Sequence, residues 1–578
     1  MITVTKTYFL RLMHTLRLAM QDSEVESDEL IGSILDYWCK ESFSGVPGCG
    51  LKVNSQLQSH PSVKKFVEFI KVQNFLEATY WLSSAYAQLS SKERRKQLAM
   101  FFTPPSLTMR LLDDISESGV DFSVRKFCDP ACGGAAFLVP IAIRMRDSLR
   151  EQEVKPEQII EHVQENLLGF DKDRVLCELS KHFLLMTLHD EVVTTGKKPS
   201  FQIYQGDSLL KAKHLFGTLD IIVCNPPFRK VPLTEIAHYG DSFVDIIEAQ
   251  PNLYALFIAL CVKLMAYDGI CALVTPTSFL SGRNFSKLRS FLTKQTTVLS
   301  IGMVSERSGV FIDVEQETAL TIVRRENANG IHTNQTRVSV VDRSGYYLDI
   351  GCCSLPHSGF TWPIPRMESD VALLKNAAVS SATLTDYGYV ARIGAFVWNR
   401  DTRITYPSAS KIDQANEGTV VPLLWSSDIA PNGQLRFTGS TKANQEHCFV
   451  NMGVKNHRSI IRRPSVLLQR VTSNDQHRRL IAAAVPKLLF DTYGGFVGEN
   501  HTVILEQVTP DPVLTPELLV QLLTTPAVDR YFRCISGANN VSIFELSQLL
   551  LPDPKRLKSF LGQGLDMQSA VHKALQDK

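Results

Sequence analysis

Between residues 1 and 95 the apolar positions recur every three or four residues, the period of helices that bury one face. The opening stretch TYFLRLMHTLRLAM follows this rule, and Arg11, His14 and Arg17 interrupt its apolar side. It predicts an amphipathic helix rather than a signal peptide. The region closes on the charged run SSKERRKQ, the pattern of a solvated helix face. From about 100 to 325 the texture changes. Short β-branched or apolar runs (VRKFC, NLLGF, FQIYQ, DIIVC, GICALVTP, VLSIGMV and TALTIVRR) alternate with longer helical stretches, which predicts a mostly parallel sheet covered on both faces. Beyond about 345, Gly, Pro, Asn and Ser become frequent and the periodic segments are short and mixed. The expected organisation is a helical region over 1–95, an α/β domain over 96–345 and an α+β domain over 346–578.

Ligands of doubly wound sheets bind beyond the carboxyl ends of the strands, so the residues just after each strand matter most. VRKFC leads into DPACGGAAFL at 129–138, where Gly133 and Gly134 permit a tight turn and close backbone approach, and a helix from near Ala136 presents its N-terminus. No G-x-x-x-x-G-K-[ST] pattern is present there, so this is not a nucleoside-triphosphate loop, and no built-in translocase is expected. NLLGF ends at Asp171 of GFDKD, the place for an acid that bonds a ribose diol or caps the next helix. FQIYQ leads to GDSL, which puts Asp207 at the same rim, either as a ligand or as a turn residue. DIIVC leads to Asn225, Pro226, Pro227 and Phe228. Two prolines lack N–H donors and have fixed φ, so they stop the hydrogen-bond ladder and make a stiff rim. Singly each is an ordinary turn; in series they line one crevice.

Composition narrows the setting. The chain has 578 residues, 44% hydrophobic and 21% charged, with a net charge of +2. Residues 391–500 carry 14 Lys and Arg against 8 Asp and Glu, a local surplus of +6 that suits a polyanion partner. The 12 cysteines form no C-x-x-C pair, which predicts neither a metal site nor a disulfide framework and fits a reducing cytoplasm. No apolar run reaches membrane-spanning length, so no membrane partner is expected.

Taken together, DPACGGAAFL, GFDKD, GDSLL and NPPF, preceded by FFTPPSLTMRLL at 101–112, resemble the gamma-class adenine-N6 DNA methyltransferases, which include type I modification subunits and TaqI-like and Eco57I-like enzymes. PNLYALFIALCVKLMAYDGICALVTPTSFL and GVFIDVEQETALTIVRR extend the resemblance over about 100–330. It implies a Rossmann-like S-adenosylmethionine-dependent methyltransferase sheet with a helical N-terminal region and a separate C-terminal target recognition domain. It also implies that Thr103, Pro104, Asp129, Pro130, Ala131 and Gly133 border the methionine part of the cofactor, Asp171 its ribose and Asp207 its adenine. Asn225, Pro226, Pro227 and Phe228 would be catalytic, with Phe228 and Phe311 stacking on a flipped base. Cys128, Cys132 and Cys224 are expected to be packing residues. The family loop reads D-P-A-C-G-[ST]-G, whereas this chain has Gly134 and Ala135 in the last two positions, a departure that bears on loop geometry and cofactor affinity.

The C-terminal stretches ARIGAFVWNR, VPLLWSSDI and SVLLQRVTSNDQHRRLIAAAV resemble recognition domains more loosely. There Gln469, Arg470, Asn474, Arg478 and Arg479 are expected to grip phosphates and base edges of double-stranded DNA, unless they form a solvated basic face. The implied function is site-specific adenine-N6 methylation of duplex DNA in a restriction-modification or phage-defence system, with a restriction endonuclease or other subunit as a further partner. Methylation of ribosomal RNA guanine-N2 or of a protein glutamine, and a non-catalytic DNA-binding subunit, are the alternatives.

Overall fold

The computed structural model describes residues 2–248, 251–305, 317–326, 335–357, 359–379, 382–412, 418–430, 432–437, 447–472, 476–536 and 540–576. The chain divides into two units, Met1–Phe279 with Asn284–Gly359, and Leu280–Arg283 with Phe360–Lys578.

The first unit begins with α1 (Ile2–Asp22), α2 (Ser27–Ser42), α3 (Ser55–Ser59), α4 (Pro61–Lys71), α5 (Phe75–Leu89) and α6 (Lys92–Leu98). Side-chain caps set several of these starts: Asn74 accepts from the Glu77 N–H and Ser91 from the Arg94 N–H. α5 buries Ala78, Trp81, Leu82, Ala85 and Tyr86, apolar on nearly every side, so it needs protein all round it. After α7 (Pro105–Glu117) come β1 (Phe127–Asp129), α8 (Leu138–Glu151), α9 (Pro156–Asn166), β2 (Leu167–Asp171), α10 (Arg174–Thr187), β3 (Gln202–Gln205) and β4 (Leu219–Cys224). The sheet is completed by β5 (Met265–Pro276), β6 (Thr296–Val304), β7 (Thr318–Arg325), β8 (Thr336–Val341) and β9 (Tyr347–Cys353). Its order is β3-β2-β1-β4-β5-β7-β6-β8-β9. The first five strands in that order run parallel, and β7 lies antiparallel between β5 and β6. Each strand expected from the apolar runs is present. The sheet continues through β9, so this unit passes the boundary expected at 345.

The N-terminal helices are not a separate body. Phe9, Leu12, Trp38 and Trp81 belong to one continuous buried cluster with Phe127, Leu167 and Val223 of the sheet. A polar tie reinforces it: the Tyr86 hydroxyl lies 3.1 and 3.0 Å from the two carboxylate oxygens of Asp173, and Arg94 donates to one of them at 2.8 Å. The same carboxylate caps α10 by accepting from the Val175 and Leu176 N–H groups at 2.9 and 3.1 Å.

The second unit is α+β, as its mixed texture predicts. Strands β10 (Tyr389–Ile393), β11 (Thr405–Tyr406), β12 (Val420–Leu424), β13 (Phe449–Asn451), β14 (Ser465–Gln469), β15 (Ala482–Ala484), β16 (Val497–Gly498) and β17 (Thr502–Gln507) form two four-stranded sheets, β10-β17-β14-β15 and β11-β13-β12-β16. Helices Pro516–Leu523, Pro526–Ile535 and Met567–Gln576 come next, and Leu519, Phe532 and Val571 pack in one core with Tyr389 and Leu505. Among the described residues no helix is long and apolar enough to cross a membrane.

Asp173→Ala removes the cap of α10 and leaves the Tyr86 hydroxyl buried without its partner. It is expected to cost about 2–4 kcal/mol, read as a lower urea midpoint.

Candidate active site

The carboxyl ends of β1 to β4 open on a cavity lined by Thr103, Asp129, Pro130, Ala131, Gly133, Asp171, Asp207, Asn225 and Pro227, among others. These residues are up to 124 positions apart in the chain, counting 227 − 103, yet the strand order brings them to one rim. Pro104 sits at the start of α7, and Pro226 is buried just after β4; neither is among the residues that line the cavity.

The loop after β1 is held from inside. Asp129, 1% exposed, accepts from the Ala131 N–H at 2.9 Å, and burial pushes its carboxyl well above the usual carboxylate range. Gly133 has φ +52°, and a Cβ there would stand 3.1 Å from the Phe102 ring. Its N–H donates to Asp171 Oδ2 at 3.0 Å, while the Asp173 N–H donates to Oδ1 at 2.7 Å. Asp171 therefore ties β2 to the glycine loop, and Asp173, two residues later, is the helix cap. Burial pushes the Asp171 carboxyl up to about 6, with the Asp173 charge adding and the two N–H donors opposing.

The departure at 134 has a steric cause. A Cβ on Gly134 would lie 1.9 Å from Ser83 Oγ and 2.6 Å from Ser83 Cβ. A residue of α5 thus occupies the space that a side chain at 134 would need. Ala135 adopts φ +60°, a left-handed conformation that costs a non-glycine residue roughly 1–2 kcal/mol. The next helix starts at Leu138, later than expected.

Asp207 caps the short helix Ser208–Lys211 through the Leu209 N–H at 3.0 Å and pairs with Lys172 Nζ at 2.7 Å. Asn225 Nδ2 donates to the Phe101 carbonyl at 3.2 Å and to Thr103 Oγ1 at 2.9 Å. Its Oδ1 is buried and has no hydrogen-bond partner. An orphaned acceptor of this kind is costly unless something else completes it. Phe228 is half-buried, edge-on to Tyr254 at 6.0 Å and 85°, and Tyr254 stacks on Phe285 at 5.1 Å. Arg229 pairs with Glu235, which folds the loop behind the prolines. Cys128, Cys132 and Cys224 are fully buried, and burial raises each thiol well above its ordinary value, as suits packing residues. Ser83 lies in no motif, and Phe101, Phe102 and Lys172 lie within FFTPPSLTMRLL and GFDKD without being among the expected site residues; the glycine at 134 is the one sequence signal that something fills that space.

In the second unit the expected cluster separates. The stretch SVLLQRVTSNDQHRRLIAAAV holds two antiparallel strands, β14 and β15, rather than a basic helix face. Gln469 and Arg470 are half-buried, donating to the Ser426 and Asn500 carbonyls at 3.2 and 2.9 Å, and Arg478 is exposed. Arg479 leaves the set: it is 0% exposed, bonds Ser536 Oγ at 2.6 Å and the Thr472 carbonyl, and lies over the Phe532 ring. A side chain so enclosed has no access to DNA. Asn474 and Phe311 lie outside the described residues.

A sheet of this order, with a cleft at the carboxyl ends of its parallel strands, is a Rossmann-like α/β fold. Residues 77–350 match the family model described as N-6 DNA Methylase. The type II methyltransferase M.BstVI of Geobacillus stearothermophilus is 24% identical over 213 residues, 35% of this chain and 37% of that protein. The type II methyltransferase M.PstI of Providencia stuartii is 22% identical over 348 residues, 59% of this chain and 66% of that protein. The chain thus spans less than two thirds of either relative's length. Among solved structures, the type IIL restriction-modification enzyme MmeI in complex with DNA shares the fold, with a TM-score of 0.52, 12% identity and coverage of 97% of this chain and 88% of that one.

Gly134→Ser is expected to destabilise the protein by about 1–3 kcal/mol, because the new Cβ and Ser83 cannot share the same space. Ser83→Gly in the same chain should recover part of the loss, a non-additivity read from urea unfolding of the two single variants and the double variant.

Proposed function

We propose that this protein is a site-specific DNA methyltransferase that methylates the exocyclic N6 of adenine in duplex DNA with S-adenosylmethionine as methyl donor. The observation that carries the reading is the buried, unpartnered Asn225 Oδ1 at the rim of a cavity that also holds Gly133, Asp171 and Asp207. These residues fit the donor: Gly133 offers backbone without a side chain, the Asp171 carboxylate suits a ribose diol, and Asp207 suits an amino group once Lys172 gives way. When bound, S-adenosylmethionine supplies an electrophilic methyl carbon on a sulfonium.

An adenine amino nitrogen is a poor nucleophile because its lone pair is delocalised into the ring. Asn225 Oδ1 accepts one amine hydrogen and the Pro226 carbonyl the other, which favours a pyramidal nitrogen with its lone pair aimed into the cavity. Neither group is a base. As the nitrogen gains its fourth bond, the two carbonyl dipoles stabilise the positive charge until a proton passes to solvent. Pro226 and Pro227 hold these acceptors in place, so positioning supplies much of the rate. Phe228, braced edge-on by Tyr254, offers its ring to a base that has left the helix. In the second unit, Arg470 and Arg478 with Gln469 are proposed to meet DNA, and a restriction endonuclease is the partner such a mark protects against.

Incubation with labelled donor and mixed-sequence duplex DNA tests the reading; label at adenine N6 supports it, whereas label that is lost to ribonuclease or protease rejects it. Asn225→Ala is expected to lower transfer by at least about a thousandfold with donor affinity unchanged. The Asp171 carboxylate is the form that accepts from a diol. Donor affinity should therefore hold above about pH 7 and weaken below pH about 6, by up to about tenfold per unit, as that carboxyl takes up a proton. Asp171→Asn should bind more weakly throughout and lose this inflection in calorimetric titrations.

A further inference from the structure

We infer that Thr103 is a positioning residue that fixes the rotation of the Asn225 amide, so that Oδ1 rather than Nδ2 faces the reacting amine. The inference rests on the proposed amine chemistry and adds to it the device that orients the acceptor.

An asparagine amide has two faces of opposite hydrogen-bonding sense, and a half-turn about its last bond exchanges them. Exchange here would present two donors to an amine that is itself a donor. The Phe101 carbonyl can only accept, so the Asn225 atom 3.2 Å from it must be the NH₂ nitrogen. Thr103 Oγ1, 2.9 Å from the same nitrogen, must then accept as well. Two acceptors on one side of the amide leave Oδ1 on the other, buried and without a partner. Thr103 is 1% exposed, so water cannot take over its part.

The strand end alone does not provide this. Asn225 follows directly on β4, whereas Phe101 and Thr103 lie in the connection between α6 and α7, more than 120 residues earlier (225 − 103 = 122). That connection is fixed on both sides. Ala99 turns it with φ +49°, and Phe102 packs against Gly133, where a Cβ would meet its ring at 3.1 Å. The hydroxyl of Thr103 is therefore held where the amide needs it.

The test compares Thr103→Val, which keeps the shape and removes the acceptor, with Thr103→Ser, which keeps the hydroxyl. The assay is single-turnover methyl transfer to duplex DNA, alongside calorimetric binding of S-adenosylmethionine. At saturating S-adenosylmethionine, Thr103→Val should transfer about tenfold more slowly, and Thr103→Ser should regain most of that rate. A wild-type rate for Thr103→Val, or a loss of donor affinity that accounts for the slower transfer, would overturn the inference. A second readout is independent of turnover: in protein labelled with ¹⁵N at asparagine side chains, the Asn225 amide hydrogens should exchange slowly with solvent. They should exchange faster in Thr103→Val and slowly again in Thr103→Ser. If the unaltered protein methylates no DNA yet shows this pattern, the orientation of the amide stands and the proposed reaction falls. Equal exchange in all three proteins would sink the positioning role whatever the activity.

Discussion

The proposed reaction depends first on the orientation of the Asn225 amide. A rim of carboxylates and glycines can hold a small molecule, but only an acceptor pointing outward from a rigid strand end can draw an amine into line. That acceptor is left unpaired inside the protein, an arrangement that costs free energy in the resting state. It persists because the bonds from Nδ2 to Phe101 and Thr103 and the stiffness of Pro226 and Pro227 hold it there. The prolines act on the backbone and the connection at 101–103 on the side chain.

The N-terminal helices serve the same end. They share the core of the sheet, and α5 reaches the glycine loop itself, where Ser83 occupies the space beside Gly134. The altered loop is thus one half of a matched pair, the other half lying some fifty residues upstream (134 − 83 = 51). Asp173 joins the same helices to the loop through Tyr86 and Arg94, and its backbone N–H holds Asp171. Cavity rim, helix cap and N-terminal core form one connected polar and apolar network.

In the second unit, charge counted along the chain overstates charge at the surface. Arg479 is enclosed by the Thr472 carbonyl, Ser536 and Phe532, and Arg533 is 9% exposed and paired with Asp529 at 2.8 Å. Asp370, 1% exposed, is gripped by Arg530. The first pair lies within the helix Pro526–Ile535 and the second ties it to the helix Glu368–Val379, whereas Arg478 is exposed.

Strands β8 and β9 are not legible in the chain itself, whereas the parallel part of the sheet, seven of its nine strands and the acids and asparagine of its rim are. They rest on local rules: alternation of apolar runs with helical stretches, prolines that end a ladder, and acids placed just after a strand. Asp129, Asp171, Asp207 and Asn225 all stand at the rim because every parallel strand delivers its carboxyl end to the same side. The groups that act on those residues became visible with the folded molecule alone. Ser83 against Gly134, Lys172 on Asp207, Thr103 on Asn225 and the enclosure of Arg479 are contacts between segments that no periodicity links. A local pattern records which way a side chain leaves the backbone; which partner it meets depends on how distant elements pack, and that is set by the whole core at once.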